Sequence, residues 1–317
     1  MLPPPLQTGI DELLRGLDTR TLAAAAQRLS ETYRVGGAAA ARAARTPADV
    51  AAYLATRAPA TGAAASAVFE QIRLIRPAWK PTSVIDLGAG PGVAAWAAAA
   101  SWPGTATTTL VEAEPEMVRA GKALAEHGPP SLRRATWLEA DIGSRQAPAD
   151  LVVVSYVIGE LDPSRLTDFA RGAWALTRDT LVVIEPGTTA GYERVLSLRR
   201  TVIDAGGTTL APCPHDDACP LADDDWCHFA ARLARSRAHR AAKGAERGFE
   251  DEKFSYAVLC RAPHPRPGAR VIRRPDPRPG HVVLDLCTTS GIEHRTVSRR
   301  EGDDYRRARK LRWGDAV

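Results

Sequence analysis

The chain lacks the sequence features that direct a protein into or across a membrane. Its amino terminus has no basic stretch followed by an apolar run, which predicts that there is no signal peptide. The most apolar stretch, Val93–Ser101, is too short to span a bilayer and is rich in alanine, as in a buried helix. Because five cysteines occur without a secretory signal, we expect a reducing compartment, the cytoplasm, where clustered thiols bind metals more often than they form disulfides.

Acidic residues are scarce in the last third of the chain. Residues 228–317 hold 21 Lys and Arg against 11 Asp and Glu, whereas residues 1–227 hold 21 against 26. This asymmetry predicts a polyanionic partner for the carboxy-terminal part, with nucleic acid as the leading candidate. The alternative is ordinary solubilising surface charge.

The hydrophobic pattern divides the 317 residues into three parts. Residues 1–80 are rich in alanine and have helical apolar spacing, which predicts an amino-terminal helical module. Residues 81–261 alternate short apolar strands with helices, as in an open α/β sheet of the Rossmann-like type, with a cysteine-rich insert at 212–250. Residues 262–317 predict a small, basic, β-rich extension after a proline-rich linker.

A glycine-rich turn follows the first predicted strand, at Gly88, Gly90 and Gly92, with Asp86 two residues before it. Glycines at such a turn let the backbone bend sharply and approach a ligand. Position 93 is valine, so the pattern is G-x-G-x-G and not the NAD fingerprint G-x-G-x-x-G. It resembles motif I of class I S-adenosylmethionine-dependent methyltransferases, whose backbone wraps the methionine part of the cofactor.

Two further acidic residues fit the same resemblance. Glu112 stands at the end of the second predicted strand, where an acidic residue binds the ribose hydroxyls. Asp141 follows the third strand, where the family contacts the adenine amino group. The sequence therefore predicts an S-adenosylmethionine site formed by these two residues, Asp86 and the three glycines.

The methyl-accepting side of the site is less defined. The segment Ser155-Tyr-Val-Ile-Gly-Glu-Leu-Asp lacks the Asn/Asp-Pro-Pro-Tyr/Phe motif with which base-methylating enzymes grip a flipped adenine. No Pro-Cys pair stands where a pyrimidine-attacking nucleophile would. Tyr156, Glu160 and Glu185 could position an acceptor or take its proton, or could be residues of the rim.

Four cysteines have the spacing Cys213-x5-Cys219-x7-Cys227-x32-Cys260. None forms the close C-x2–4-C knuckle that is usual at zinc sites. Prolines directly after Cys213 and Cys219 favour a loop that binds an iron–sulfur cluster. A Cys/His zinc site with His215 or His228 stays open.

Strand geometry argues against one member of this set. If the segments before Cys213 and Cys260 pair as antiparallel strands, these two cysteines lie at opposite ends, about 15–20 Å apart. A sulfur–sulfur distance well above about 8 Å would exclude Cys260 as a ligand of the same centre. Cys287, in the alternating strand Val282–Cys287, is expected to belong to the core.

Nearly the whole chain resembles the methyltransferase-like proteins of the mitochondrial small ribosomal subunit and their bacterial relatives. The segments that carry the resemblance are Ala52-Tyr-Leu-Ala-Thr-Arg-Ala-Pro-Ala-Thr, the motif I loop, Pro212-Cys-Pro-His-Asp-x-x-Cys-Pro-Leu, Trp226-Cys-His-Phe, Phe249-Glu-Asp-Glu-Lys-Phe-Ser-Tyr and Tyr305-Arg-Arg-Ala-Arg-Lys-Leu-Arg-Trp-Gly-Asp. The resemblance implies a [4Fe–4S] cluster on Cys213, Cys219, Cys227 and Cys260. It also implies a role in maturation of the small subunit through binding to its rRNA.

We therefore expect an assembly factor, monomeric and without a membrane partner, whose basic extension contacts rRNA phosphates while Tyr305 and Trp313 stack on bases. The alternatives are an active methyltransferase acting on rRNA or a ribosomal protein, and a zinc-stapled RNA-binding protein. The basic residues in question are Arg273, Arg274, Arg299, Arg300, Arg306, Arg307, Arg309, Lys310 and Arg312.

Overall fold

The structure is a computed structural model, and it describes residues 2–35, 44–144, 146–222, 224–243 and 246–317. The amino-terminal part is helical, as predicted. Its helices are α1 (Pro4–Leu13), α2 (Thr19–Val35), α3 (Pro47–Thr56) and α4 (Ala58–Ile75). Helix α3 begins with a capping box in which Thr46 and Asp49 bond each other's backbone N–H groups, and Pro47 occupies the first turn.

The central sheet is built from β1 (Ser83–Leu87), β2 (Thr107–Glu112), β3 (Thr136–Glu139), β4 (Ala149–Ser155), β5 (Thr177–Pro186), β6 (Thr208–Ala211), β7 (Phe229–Ala234) and β8 (Phe249–Cys260). Its spatial order is β3-β2-β1-β4-β5-β8-β6, with β7 also paired to β8. The first five strands run parallel, and β8 is antiparallel to β5. This is the strand order of class I methyltransferases, so the predicted fold class is confirmed.

Helices connect the strands and cover the sheet. They are α5 (Val93–Ser101), α6 (Pro115–Ala125), α7 (Pro130–Arg133), α8 (Leu166–Ala175), α9 (Thr189–Asp204) and α10 (Arg237–Lys243). The strands are apolar on both faces, and β4 and β5 are almost wholly buried, as expected for a parallel sheet between helices. Among the described residues, no helix is both long and apolar enough to cross a membrane.

Strands β6 and β7 share one edge of β8. Strand β6 pairs with residues 258–260 of β8, and β7 pairs with residues 249–254. A gap of three residues, 255–257, separates the two pairings. The cysteine-bearing loop between β6 and β7 lies at this gap, where the Ser255 hydroxyl donates a hydrogen bond of 2.7 Å to the Cys227 carbonyl.

The carboxy-terminal extension is a second small sheet with its own core. It consists of β9 (Ala269–Val271), β10 (Asp276–Arg278), β11 (His281–Thr288), β12 (Gly291–Ser298) and the short helix α11 (Asp303–Ala308). Its order is β10-β11-β12, and β9 pairs with the other end of β11. Val282, Leu284 and Leu286 alternate along β11 and pack into this core.

Candidate functional site

The glycine-rich turn joins β1 to α5 at the carboxyl end of the parallel strands. Gly88, Gly90 and Gly92 all have positive φ, at 70°, 54° and 82°. A side chain at residue 88 would collide with Val157, whose Cγ2 would stand 2.4 Å from the new Cβ. At residue 90 the nearest atom is the Tyr53 hydroxyl at 3.7 Å, so a ligand can approach the backbone there.

Two of the predicted acidic residues bond the backbone of this connection, Glu112 at the turn and Asp86 at the start of α5. The Glu112 carboxylate, at the end of β2, accepts hydrogen bonds from the N–H groups of Gly90 at 2.7 Å and Glu114 at 2.8 Å. Asp86, at the end of β1, accepts one from Ala95 in the first turn of α5 at 3.1 Å. Burial raises the pKa of Asp86 to about 7 and also raises the pKa of Glu112.

Asp141 lies apart from these groups. It follows β3 by two residues, and 63% of its side chain is exposed. Its Oδ1 accepts a hydrogen bond from the Gly143 N–H at 2.9 Å and lies 3.4 Å from Arg165 Nη2. The structure thus brings Asp86, the glycines and Glu112 together, with Asp141 on the neighbouring loop.

The segment after β4 brings further ionisable groups to the same end of the sheet. Tyr156 has a φ of 59°, and its hydroxyl donates to Glu252 at 2.9 Å. Burial raises the pKa of Glu160 to about 8 and that of Glu185 to about 7. Only 1% of the Glu185 side chain is exposed, and it pairs with Arg194 at 2.8 Å, so it is not a residue of the rim.

A second site lies at the gap in the edge of β8. A cavity there is lined by side chains from the loop, from α9 and from the extension, and those of interest are Cys213, Cys219, Cys227, Cys287, Arg199 and Arg270. The Tyr192 hydroxyl of α9 donates to the Cys219 sulfur at 3.0 Å, and His215 Nε2 lies 3.7 Å from the Cys287 sulfur. Burial raises the pKa of Cys213, Cys227 and Cys287, so binding a metal here requires the thiols to lose their protons.

Cys260 does not lie with the other three predicted cysteines, and that assignment is corrected. It ends β8, opposite Thr180 of β5 and Thr208 of β6, with its sulfur 3.5 Å from the Thr180 hydroxyl. Cys227 lies beside Ser255, five residues earlier on β8. Because an extended strand rises by about 3.3 Å per residue, the two cysteines are separated by roughly 16 Å.

Cys287, which was predicted to belong to the core, is buried and lines the cavity, outside the core of the extension. Val282, Leu284 and Leu286 face the core of the extension, and Cys287 falls out of phase with them. It therefore faces the Rossmann-like domain. That phase shift was readable in the sequence, but the partner that β11 packs against was not.

The four cysteines at the cavity do not form a ready-made ion site. Among the described residues, no group of three or more His, Cys, Asp or Glu side chains is arranged so that it could hold a metal ion. Thiolates are nevertheless the ligands that suit iron–sulfur clusters and zinc. The donor set at this cavity thus fits either group chemically.

Most of the predicted basic residues are exposed, but Arg273 is half-buried and pairs with Asp225, and the two aromatic residues of this surface are packed. Arg274, Arg299, Arg300, Arg309, Lys310 and Arg312 are exposed to solvent. Tyr305 packs against the core of the extension, and Trp313 packs edge-on against His228 at a ring distance of 5.0 Å. Both rings are thus half-buried and in contact with other side chains of the chain, and their stacking on bases stays a prediction.

Comparison with known proteins identifies the family. A family model described as "Mitochondrial small ribosomal subunit Rsm22" matches residues 47–317. The chain belongs to the Rsm22 family. The human "Ribosome assembly protein METTL17, mitochondrial" is 30% identical over 294 residues, which cover 84% of this chain and 61% of METTL17. The Schizosaccharomyces pombe "Rsm22-cox11 tandem protein 2, mitochondrial" is 24% identical over 288 residues, which cover 74% of this chain and 38% of that protein.

This Rsm22-family chain thus spans less than two thirds of the length of these relatives. Solved structures with a similar fold include the magnesium protoporphyrin IX methyltransferase of Synechocystis, with a TM-score of 0.44, 11% identity and coverage of 64% of this chain and 84% of that one. The precorrin-6y C5,15-methyltransferase of Geobacter metallireducens has a TM-score of 0.40, 13% identity and coverage of 62% and 86%. The strand order of the central sheet, and not these scores, establishes the fold.

Proposed function

We propose that this chain is an S-adenosylmethionine-binding, [4Fe–4S]-containing, methyltransferase-like protein that binds the rRNA of the small ribosomal subunit and acts in its assembly. The observation that carries the proposal is a four-cysteine cavity between a methyltransferase-type sheet and a basic extension, in a chain of the Rsm22 family. The link to ribosome assembly is the role for which METTL17, the human relative, is named.

Binding of S-adenosylmethionine is supported by the turn at residues 88–92. The backbone is open to a ligand at Gly90. Glu112 accepts a hydrogen bond from the Gly90 N–H, and Asp86 accepts one from the Ala95 N–H at the start of α5. S-adenosylmethionine carries a positive sulfonium, whereas its demethylated product does not. Buried carboxylates at this edge of the sheet would therefore favour the methyl donor over the product.

A cluster on Cys213, Cys219, Cys227 and Cys287 is supported by the composition of the cavity. A zinc ion needs all its sulfurs about 2.3 Å from one point, whereas a four-iron cluster gives each cysteine its own iron. The wide cysteine spacing and the prolines directly after Cys213 and Cys219 favour the second case, and the four sulfurs line one cavity. When bound, the cluster would cross-link the loop to the extension and so stabilise the surface that faces RNA.

The test is anaerobic purification of the chain, with absorption spectra and quantification of iron, sulfide and zinc. Brown protein with iron and sulfide in equal amounts, about four of each per chain, is expected from the cluster's composition. Colourless protein with a single zinc would overturn the cluster and leave the zinc-stapled alternative. Protein with neither metal would remove the metal centre from the proposal altogether.

An active methyltransferase is the second candidate, favoured by the buried groups after β4. Glu160, whose pKa is raised to about 8, would in its ionised form take a proton from a nitrogen acceptor as the methyl group is transferred. Purified small subunits or assembly intermediates are incubated with labelled methyl donor. An enzyme is supported if the unmodified chain and Gly104→Arg transfer the label and Gly90→Arg does not. Gly104→Arg is the control, because Gly104 lies in open space away from the turn. No transfer to any particle supports the assembly factor alone.

A further inference from the structure

The cysteine cavity contains two buried arginines. Arg199 comes from α9 and is 4% exposed, and Arg270 comes from β9 and is fully buried. Both line the cavity together with the four cysteines. Arg270 also stands directly opposite Cys287 in the β9–β11 ladder, so both side chains point to the same side of the extension.

Every partner of the two guanidinium groups is neutral. Arg270 donates to the Pro212 carbonyl at 3.0 Å, to Gln71 Oε1 at 2.5 Å and to the Gly314 carbonyl at 2.8 Å. Its remaining nitrogen, Nη2, is buried and has no hydrogen-bond partner among the described residues.

Arg199 is bound in the same way. It donates to the Thr209 hydroxyl at 3.1 Å and to the carbonyls of Asp217 and His215 at 3.0 and 2.6 Å. Nearby arginines differ, because Arg266 pairs with Asp216 at 2.9 Å and Arg194 with Glu185 at 2.8 Å. Within the ranges that the structure describes, no carboxylate forms an ion pair with Arg199 or Arg270.

Two such charges are costly to bury without a counter-ion. A guanidinium group cannot lose its proton in a protein, so it cannot avoid the cost by becoming neutral. A buried charge that lacks a counter-ion is strongly destabilising to a fold, because it has lost its hydration without a compensating attraction. The cavity-lining groups that are able to carry negative charge are the cysteine thiols and the hydroxyls of Tyr192 and Tyr256. Burial raises the pKa of both tyrosines above its ordinary value, so the thiols are the groups that a metal can deprotonate here.

We infer that Arg199 and Arg270 are the counter-charges of an anionic thiolate centre in this cavity. The inference rests on the proposed metal centre. Four thiolates outweigh the positive charge of an iron–sulfur core or of a zinc ion, so the filled site is a net anion. The two guanidinium groups offset that charge, and the unpaired Nη2 of Arg270 is available to donate to a sulfur.

A purely mechanical role for Arg270 makes different predictions. Its three hydrogen bonds tie α4, the cysteine loop and the carboxy-terminal segment together, and any substitution that breaks them would loosen the fold whether or not the site is filled. A counter-charge matters only when the anion is present, and it also affects the reduction potential. Because reduction adds an electron to the centre, removing a nearby positive charge disfavours the reduced form.

The experiment uses the full chain, purified anaerobically, with four variants. Arg270→Gln and Arg199→Gln keep a hydrogen-bond donor and remove the charge, whereas Arg270→Lys keeps the charge. Arg266→Gln is the matched control, because it removes an arginine charge that already has a carboxylate partner. For each we measure iron release to a chelator, the reduction potential by a dye-coupled titration followed by electron paramagnetic resonance, and unfolding by urea with the site filled and emptied.

The counter-charge model expects both Gln variants to release iron on the order of tenfold faster and to have a more negative potential. In the emptied protein they should unfold at a urea concentration equal to or above that of the unmodified chain. Arg270→Lys and Arg266→Gln should resemble the unmodified chain.

Equal defects in Arg270→Gln and Arg270→Lys, in filled and emptied protein alike and with no shift in potential, would overturn the inference while leaving the metal centre in place. If Arg270→Gln does not fold, Arg199→Gln decides between the same two outcomes. An unmodified chain that binds neither iron nor zinc removes the anion itself, and then both the inference and the proposed centre fail. If the chain binds zinc, which has no reduction potential to measure, the test uses zinc release to the chelator and urea unfolding with the site filled and emptied.

Discussion

Cys260 and Cys287, which the sequence assigned to the metal site and to the core respectively, have surroundings in the fold that differ from those predictions. Cys260 is held between Thr180 and Arg76, whose Nη1 lies 3.7 Å from its sulfur, at the far end of β8. Cys287 shares a cavity with Cys213, Cys219 and Cys227. Cysteines can bind the same metal centre only if their sulfurs lie close together in the fold. Their spacing along the chain does not show whether they do.

Replacing each of these cysteines by serine separates the two assignments. Cys287→Ser should lose most of its iron and sulfide, because one iron loses its thiolate, whereas Cys260→Ser should keep the content of the unmodified chain. Metal and sulfide assays on protein purified anaerobically in parallel give the answer. Full iron in Cys287→Ser together with loss in Cys260→Ser would contradict the placement described here.

Glu160 predicts an unusual dependence of stability on pH. Its pKa in the folded chain is about 8, against an ordinary value of 4.5, because it is buried near other carboxylates. The folded chain therefore keeps a proton that the unfolded chain has already released. The free energy of unfolding should thus fall as the pH rises from about 4.5 through about 8. Asp86 and Glu185 act in the same direction over a narrower range, up to about 7.

Urea unfolding of Glu160→Gln at about pH 5 and about pH 8 measures this contribution. Relative to the unmodified chain, the variant should gain more than about 1 kcal/mol between the two pH values, since it cannot lose a proton. Glu126→Gln, on the exposed end of α6, is the control and should follow the unmodified chain. Parallel pH profiles for all three proteins would rule out a buried, protonated Glu160.

At the scale of whole elements, the extension joins two functions in one small sheet. One face of β11 supplies Cys287 to the cavity, and the other packs on the core of the extension. Past α11, the chain presents Arg309, Lys310 and Arg312 to solvent. The extension that would complete the proposed metal site is thus also the part of the chain that is proposed to contact RNA.

Charge removal on this segment should weaken RNA binding in a salt-dependent manner. Replacing Arg309, Lys310 and Arg312 together by alanine removes up to three phosphate contacts, so both the affinity for small-subunit rRNA and its slope against salt concentration should fall. Filter binding at several salt concentrations measures both quantities. The control replaces Arg171 and Arg178, exposed arginines of the Rossmann-like domain. An unchanged salt slope in the triple variant would move the RNA contact elsewhere.

For the molecule as a whole, the cavity lies where three parts meet. Arg270 alone bonds α4 through Gln71, the cysteine loop through Pro212 and the carboxy-terminal segment through Gly314. A metal centre in this position would add covalent cross-links between the cysteine loop and the extension. Its loss should consequently affect the attachment of the extension more than the central sheet.

Hydrogen exchange of the filled and the chelator-treated protein tests this expectation. Removing the metal should increase amide exchange in β9, β11 and the loop at 212–228, while β1, β4 and β5 keep their protection. Uniform loss of protection across the sheet would instead mean that the centre stabilises the entire fold. No change in either region would mean that it stabilises neither.

Several features of the fold and site follow from the sequence because they are local. Apolar strands alternating with helices predict the open sheet, and the spacing of Asp86, the three glycines and Glu112 predicts a turn at its carboxyl end. Such patterns work because a strand–turn–helix connection is short, and its residue types are dictated by backbone conformation and close approach. Cys213, Cys219 and Cys227 were identifiable for the same reason, since one loop carries all three.

Only the tertiary structure decided what distant segments bring together. It removed Cys260 from the cysteine set, since antiparallel pairing with β6 moves the end of β8 away from the loop. It added Cys287, and it buried Arg199 and Arg270 beside these thiols. The local pattern of β11 determines which of its residues share a face. Which residues that face contacts is determined by the docking of the extension on the Rossmann-like domain, through contacts between residues 58 or more positions apart in sequence.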